Sequence, residues 1–161
     1  MNKGLILGRF QPFHLGHLAL IKNIITDNLD PIICIGSSQK GRTRENPFTK
    51  EERREMIESV LETLECSYEI YEIPDINNYD LYVSHLTKMV PSFDFVYSGN
   101  ALVKKLFTEA GHKVIVPDMV NRSVWEGSSI RQDILKNGDW EKDVPQSVAK
   151  IISDIKLEKI E

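Results

Sequence analysis

His14 and His17 stand three residues apart, with Gly16 between them. An imidazole N–H donates to phosphate oxygens, and two rings at this spacing can serve one anion if they share a helix face. The surrounding sequence supplies such a helix. The apolar run Leu5-Ile6-Leu7 lies between Gly4 and Gly8. It is too short for a helix and reads as a buried strand of a parallel sheet. Pro12 then marks a turn. Beyond Gly16, Leu18, Ile21 and Ile25 fall on one helical stripe, with Leu20 and Ile24 beside it. Both histidines are therefore expected on the first turn of a helix leaving the carboxyl end of the first strand. The free N–H groups and dipole of that terminus favour phosphate, and Gly16 lets a ligand approach the backbone.

Arginines form the second set. Arg9 leaves the first strand beside the histidines. Arg131 follows Gly127-Ser128-Ser129-Ile130. A serine capping a helix, with an arginine on its first turn, makes an anion site. Standing alone, the same residues would be only an N-cap and a solvated arginine. Arg42 and Arg44 lie in the polar loop 37–48. They reach a phosphate if that loop folds over the site, and two solvated loop arginines fit the pattern equally. Neither GxxxxGK[ST] nor GxGxxG after a strand is present. Bound phosphates must then rest on histidines, arginines and helix termini.

The rest of the chain positions these groups. Strands are expected at Pro31–Gly36, Tyr68–Ile73, Phe93–Tyr97 and Val114–Val116. Pro31 is tolerated as a first strand residue. Thr49-Lys50-Glu51-Glu52 has capping-box form and starts a helix at about Lys50, with Met56, Ile57, Val60, Leu61 and Leu64 as its stripe. Leu81–Val90, Ala101–Ala110 and Ser129–Lys136 read as further helices, with Gly111 as a C′ residue. Pro145 is expected as the first residue of a last helix whose stripe is Val148, Ile151, Ile152 and Ile155. Strands alternating with helices at short spacing imply an α/β fold, a three-layer α/β/α arrangement around a five-stranded parallel sheet. Ligands on such sheets sit at the carboxyl ends of the strands. The first, second and fourth strands exit into small polar turns, namely the histidine segment, Gly36-Ser37-Ser38 and Ser98-Gly99-Asn100. The strand order 3-2-1-4-5 brings these three turns together.

The segment GRFQPFHLGH, Gly8 to His17, resembles the archaeal-type nicotinamide-nucleotide adenylyltransferases of the HxGH nucleotidyltransferase superfamily. Gly127-Ser128-Ser129-Ile130-Arg131 resembles the second signature of that family, with Ser128 where threonine is usual. Asn46-Pro47-Phe48-Thr49 resembles its helix-entry segment. The resemblance implies a Rossmann-like fold with the same strand order. It also implies adenylyl transfer from ATP to the 5′-phosphate of nicotinamide mononucleotide (NMN), giving NAD⁺ and pyrophosphate. His14, His17 and Arg131 would be the catalytic groups. ATP would meet Gly8, Arg9, Phe10, Gln11, Gly16, Arg42, Arg44, Ser98, Gly99, Asn100 and the segment Gly127, Ser128, Ser129 and Ile130. The mononucleotide would meet Phe13, Gly36, Ser37, Ser38, Tyr79, Tyr82 and Trp125. Phe10 and Phe13 are expected half in the core and half in the pocket wall. Tyr79 and Tyr82 stand where related enzymes place Asn and Trp against the nicotinamide ring, which leaves the acceptor open. Trp125 either walls the adenine or shields the site. No acidic cluster suggests a protein-held metal, so Mg²⁺ is expected to arrive bound to ATP. A sister enzyme using phosphopantetheine or FMN remains open, as does a non-catalytic nucleotide-binding module. Release of pyrophosphate separates the last of these.

The 161 residues are 41% hydrophobic with a net charge of −4. That suits one nucleotidyltransferase domain spanning 1–161 and argues against a broad nucleic-acid surface. No charged-then-apolar leader precedes Gly4, and no apolar run approaches membrane length. A soluble cytoplasmic protein without a membrane partner is expected, and the resemblance adds a homo-oligomer. Cys34 reads as a buried free thiol, Trp140 as core, and His85 and His112 as structural or solvated.

Overall fold

Five strands carry the architecture. In the computed structural model, which describes residues 2–117 and 126–157, β1 (Lys3–Gly8), β2 (Asp30–Gly36), β3 (Glu69–Ile73), β4 (Phe95–Tyr97) and β5 (Val114–Ile115) form one parallel sheet. Its order is β3-β2-β1-β4-β5, as the turns required. Successive side chains of a strand point to opposite faces, and here both faces are covered. Ile6, Ile33, Ile35 and Tyr97 pack on one face. Leu5, Ile32, Cys34 and Val96 pack on the other. This double burial explains why β1 and β2 read as unbroken apolar runs.

The first face is covered by α1 (Leu15–Thr26), α2 (Lys50–Leu61), α5 (Gly127–Leu135) and α6 (Gln146–Asp154). The second face is covered by α3 (Tyr79–Met89) and α4 (Ala101–Glu109). Thr49 and Glu52 form the expected capping box of α2. Gly111 adopts a φ of 92°, as its place after α4 demands. Cys34 and Trp140 are buried. His85 lies beside the Pro74 carbonyl, and His112 stacks on Phe93.

Several expected boundaries shift. α1 begins at Leu15, so His14 is its N-cap rather than a first-turn residue. α3 begins at Tyr79, because the Asn78 side chain accepts from the Asp80 N–H and starts the helix early. β4 begins at Phe95, two residues late, and β5 ends at Ile115. α5 begins at Gly127 rather than Ser129, so the expected serine cap is absent. Its N-cap is Glu126, which makes no side-chain cap bond. Pro145 is the N-cap of α6, its ψ of 150° keeping it outside the helix. Phe10 and Phe13 are 1% and 0% exposed. They belong to the core rather than being half wall, although the edge of Phe10 still borders a cavity.

Candidate active site

The exit of β1 is fixed by a side chain that imitates backbone. The Gln11 amide donates to the Phe48 carbonyl at 2.8 Å and accepts from the Phe48 N–H at 2.8 Å. This pair joins residues far apart in sequence and holds the loop before α2 against the β1 exit. Phe10 next to it takes a φ of 54°, a left-handed conformation that costs a bulky residue energy and that surrounding packing must hold.

His14 and His17 are locked by the start of α1. His14 Nδ1 accepts from the Gly16 N–H at 3.0 Å. His17 Nδ1 accepts from the His14 N–H at 3.1 Å. Both Nδ1 atoms are thus acceptors, so each neutral ring carries its proton on Nε2. The rings stack with centroids 3.7 Å apart. Two stacked, poorly solvated imidazoles resist becoming cations. Burial, with Arg131 second, pulls the His14 pKa down to about 4. Desolvation, with His14 second, holds His17 well below its ordinary 6.5. Phe10 contributes to that dry setting, its ring centroid 4.4 Å from His17. The site therefore offers two neutral Nε2–H donors.

Two arginines supply the fixed charge. Arg131 donates to the Gln11 carbonyl at 3.1 Å and is 9% exposed. Burial, then Arg9, lowers its pKa to about 10, which leaves it cationic at neutral pH. A β-carbon at Gly127 would lie 2.7 Å from Arg131 Nη1. Only glycine lets the guanidinium rest over the first turn of α5. Arg9 reaches Asn46 Oδ1 at 3.3 Å.

Two cavities open at the carboxyl edge of the sheet. One, of about 300 Å³, is bordered by Arg9, Phe10, His14, His17, Ser98 and Arg131 among others. The larger, of about 810 Å³, reaches toward α3 and α4 and is bordered by Ser37, Lys40, Asp75, Tyr79 and Tyr82 among others. They share a wall at Leu7, Gly8, Arg9 and Asn100. Among the described residues no cluster of His, Cys, Asp and Glu side chains is arranged to hold a metal ion.

The cytidylyltransferase-like family profile matches residues 5–133. The nicotinamide-nucleotide adenylyltransferase of Thermoplasma volcanium is 46% identical over 156 residues, covering 96% of this chain and 87% of that relative. The chain belongs to the nicotinamide-nucleotide adenylyltransferase family. The fold matches a bifunctional NMN adenylyltransferase/ADP ribose pyrophosphatase from Francisella tularensis, with a TM-score of 0.77 at 22% identity and 98% of this chain covered. The chain spans about half of that protein, 51% of its length. A second structure of that enzyme, complexed with AMP and a Mn ion, aligns at a TM-score of 0.69 and 22% identity, over 96% of this chain and 53% of that one.

Within this adenylyltransferase fold the expected site residues divide. Gly8, Arg9, Phe10, Gln11, His14, Gly16, His17, Ser98, Gly99, Asn100, Gly127 and Arg131 border the smaller cavity. The polar atoms of the Gln11 side chain are spent on Phe48, so that side chain acts as a staple. Gly36, Ser37, Tyr79 and Tyr82 border the larger cavity. Other expected residues stand elsewhere. Arg42 is held by the Glu52 carboxylate through two 2.7 Å bonds and donates to the Pro47 carbonyl. Arg44, Ser128 and Ser129 are exposed and border neither cavity, and Ile130 is core. Phe13 and Ser38 are buried outside both cavities. Trp125 lies outside the described residues.

Arg53 is the residue the sequence reading passed over. It is 0% exposed. Its guanidinium donates to the Arg9 and Gly36 carbonyls at 2.9 Å and to those of Ser37, Ser38 and Lys40 at 3.2, 3.3 and 3.1 Å. It thereby fastens the β1 and β2 exits together. A signal was present, since Arg53 lies three and four residues before Met56 and Ile57 and so falls on the apolar stripe of α2.

Proposed function

We propose that all 161 residues act as one nucleotidyltransferase domain that joins MgATP and NMN into NAD⁺ and pyrophosphate. The observation that carries this reading is the shared wall between the two cavities. A donor nucleotide in the smaller cavity and an acceptor in the larger one bring their phosphates together at Gly8, Arg9 and Asn100. An oxygen of the acceptor's 5′-phosphate attacks the α-phosphorus of ATP. The bond from that phosphorus to the α,β-bridging oxygen breaks, and its electron pair leaves on pyrophosphate. The nucleophile is already an anion, so no general base is needed. The requirements are alignment and stabilisation of charge as it moves toward the leaving group.

The side chains fit that task. The two Nε2–H groups donate to oxygens of the α- and β-phosphates without bringing charge of their own, and they are preorganised because the helix start has fixed both tautomers. Arg131 and Arg9 meet the departing phosphates. An arriving phosphate also raises the pKa of each imidazole, since a nearby anion favours the cation. Mg²⁺ comes with ATP as part of the substrate, keeping several of its waters. The sequence resemblance implies a homo-oligomer, and the sequence reading a cytoplasmic location; among the described residues no helix is long and apolar enough to cross a membrane.

The test is a panel of acceptors with MgATP, reading pyrophosphate and dinucleotide. NMN is expected to give the highest kcat/KM among NMN, FMN and phosphopantetheine. A clear preference for either of the last two moves the acceptor and leaves adenylyl transfer standing. No pyrophosphate with any acceptor leaves only nucleotide binding.

A further inference from the structure

The larger cavity contains a charge pair that the transfer step does not use. Lys40 Nζ lies 3.5 Å from Asp75 Oδ2, and both residues border the cavity. Asp75 is tied to the loop after β2. The Ser37 hydroxyl donates to its carboxylate at 2.8 Å, and its N–H donates to Gln39 Oε1 at 3.2 Å. That loop is itself held by Arg53 through the Ser37, Ser38 and Lys40 carbonyls. The pair therefore sits on a fixed wall.

Its place in the sheet says what it meets. Asp75 follows β3, which is separated from β1 only by β2. Two strand spacings are about 10 Å. The reacting phosphates belong at the β1 exit, so the β3 side of the cavity receives the far end of the acceptor, its ring. The aromatic residues agree. Tyr79 and Tyr82 border this cavity. Asp75 borders the same cavity, and burial, then the Asp75 charge, pushes the Tyr82 hydroxyl up to about 12.

Resting on the proposed reaction, we infer that the Lys40–Asp75 pair is the specificity determinant that reads the charge of the pyridine substituent. NMN carries a neutral carboxamide on a cationic ring. Its deamidated analogue carries a carboxylate there. Asp75 attracts the cationic ring and repels that carboxylate, whereas Lys40 does the reverse. The Asp75 side chain is 26% exposed and that of Lys40 49% exposed, so the carboxylate is less screened by water. The pair as a whole therefore favours the amide.

The experiment measures kcat/KM for NMN and for its deamidated analogue with MgATP, in the wild type, Asp75→Asn and Lys40→Met. Asp75→Asn leaves the ammonium facing the ring and is expected to lower the amide-to-acid ratio about tenfold. Lys40→Met leaves the carboxylate alone and is expected to raise the ratio about threefold. Opposite signs are the signature, because a merely structural change would move both substrates alike. If Asp75→Asn melts below the assay temperature, the sign for Lys40→Met decides. Ratios that stay put, or move the same way in both variants, overturn the inference alone. A wild type that turns over neither mononucleotide overturns the proposed reaction and the inference with it.

Discussion

The two cavities are built by different means. Around the smaller one, polar groups are held by local backbone. His14 and His17 are fixed by the Gly16 and His14 N–H groups, each within three residues of the ring it holds, and Arg131 sits over its own first turn at Gly127. Around the larger one, side chains from the loop after β2, the segment after β3 and α3 meet across long sequence distances. Tyr79 there is 65% exposed. Stabilising a shifting charge demands donors that do not reorganise, and short-range constraints provide them. Recognising a base needs only shape and charge, which longer-range contacts can supply. Damage to the first region should therefore act on kcat, and damage to the second on KM for the acceptor.

The largest effect is expected at His17. His17→Ala removes one preorganised donor and should lower kcat by on the order of 10²- to 10³-fold. ATP affinity should fall far less, because the bond strengthens as charge develops. Single-turnover rates and ATP binding by calorimetry check the split. An unchanged kcat would remove His17 from the chemistry.

His14 should reveal the same locking through acid stability. Its pKa is about 4 when folded and starts from 6.5. Between these values the unfolded chain binds a proton that the folded chain refuses. The stabilisation is complete above pH 6.5 and is lost as pH falls toward 4, by up to about 3 kcal/mol. His17 acts in the same direction. His14→Asn keeps a capping side chain and removes the titration. Urea midpoints at pH 7.5 and pH 4.5 should therefore differ less in the variant than in the wild type. Equal differences would mean that the helix start does not hold His14 neutral.

Arg131 tests whether position matters beyond charge. Gly127→Ala forces a β-carbon to within 2.7 Å of Nη1 unless the guanidinium moves. Arg131→Lys keeps the charge but loses the planar fork. Both are expected to lower kcat by about tenfold or more while ATP binding falls less. Normal turnover in both would make this segment only the start of α5.

What could be read in advance follows the same division. The sheet order was legible because β1 and β2 are continuous apolar runs and three strand exits share small polar turns. The histidine pair was legible because its geometry lies within four residues. The loop arginines were not, because whether Arg42 faces the site or Glu52 depends on how the loop closes, and Glu52 lies only ten residues away with matching charge. Arg53 was hidden for a related reason. Its partners are backbone carbonyls, which leave no mark in the identity of the residues that supply them. The serine cap failed because Gly127 serves Arg131 from inside the helix, so α5 starts before its serines.

The smallest effect is expected at Tyr82, on the wall of the larger cavity. Tyr82 is half-buried, whereas Tyr79 is largely exposed. An aromatic face attracts a cationic ring by about 0.5–2 kcal/mol. That corresponds to roughly 2- to 30-fold in affinity, with the lower part of the range fitting an open cavity. Tyr82→Ala should therefore raise KM for NMN several-fold and leave KM for ATP nearly unchanged. Tyr82→Trp supplies a larger face and should give a KM for NMN at the wild-type value or below it. Tyr79→Ala, which removes a solvated ring, should change either constant less than Tyr82→Ala. If Tyr82→Ala instead raised KM for ATP as much as KM for NMN, the two cavities would not be separate donor and acceptor sites, and the contrast between them would fail at its weaker end.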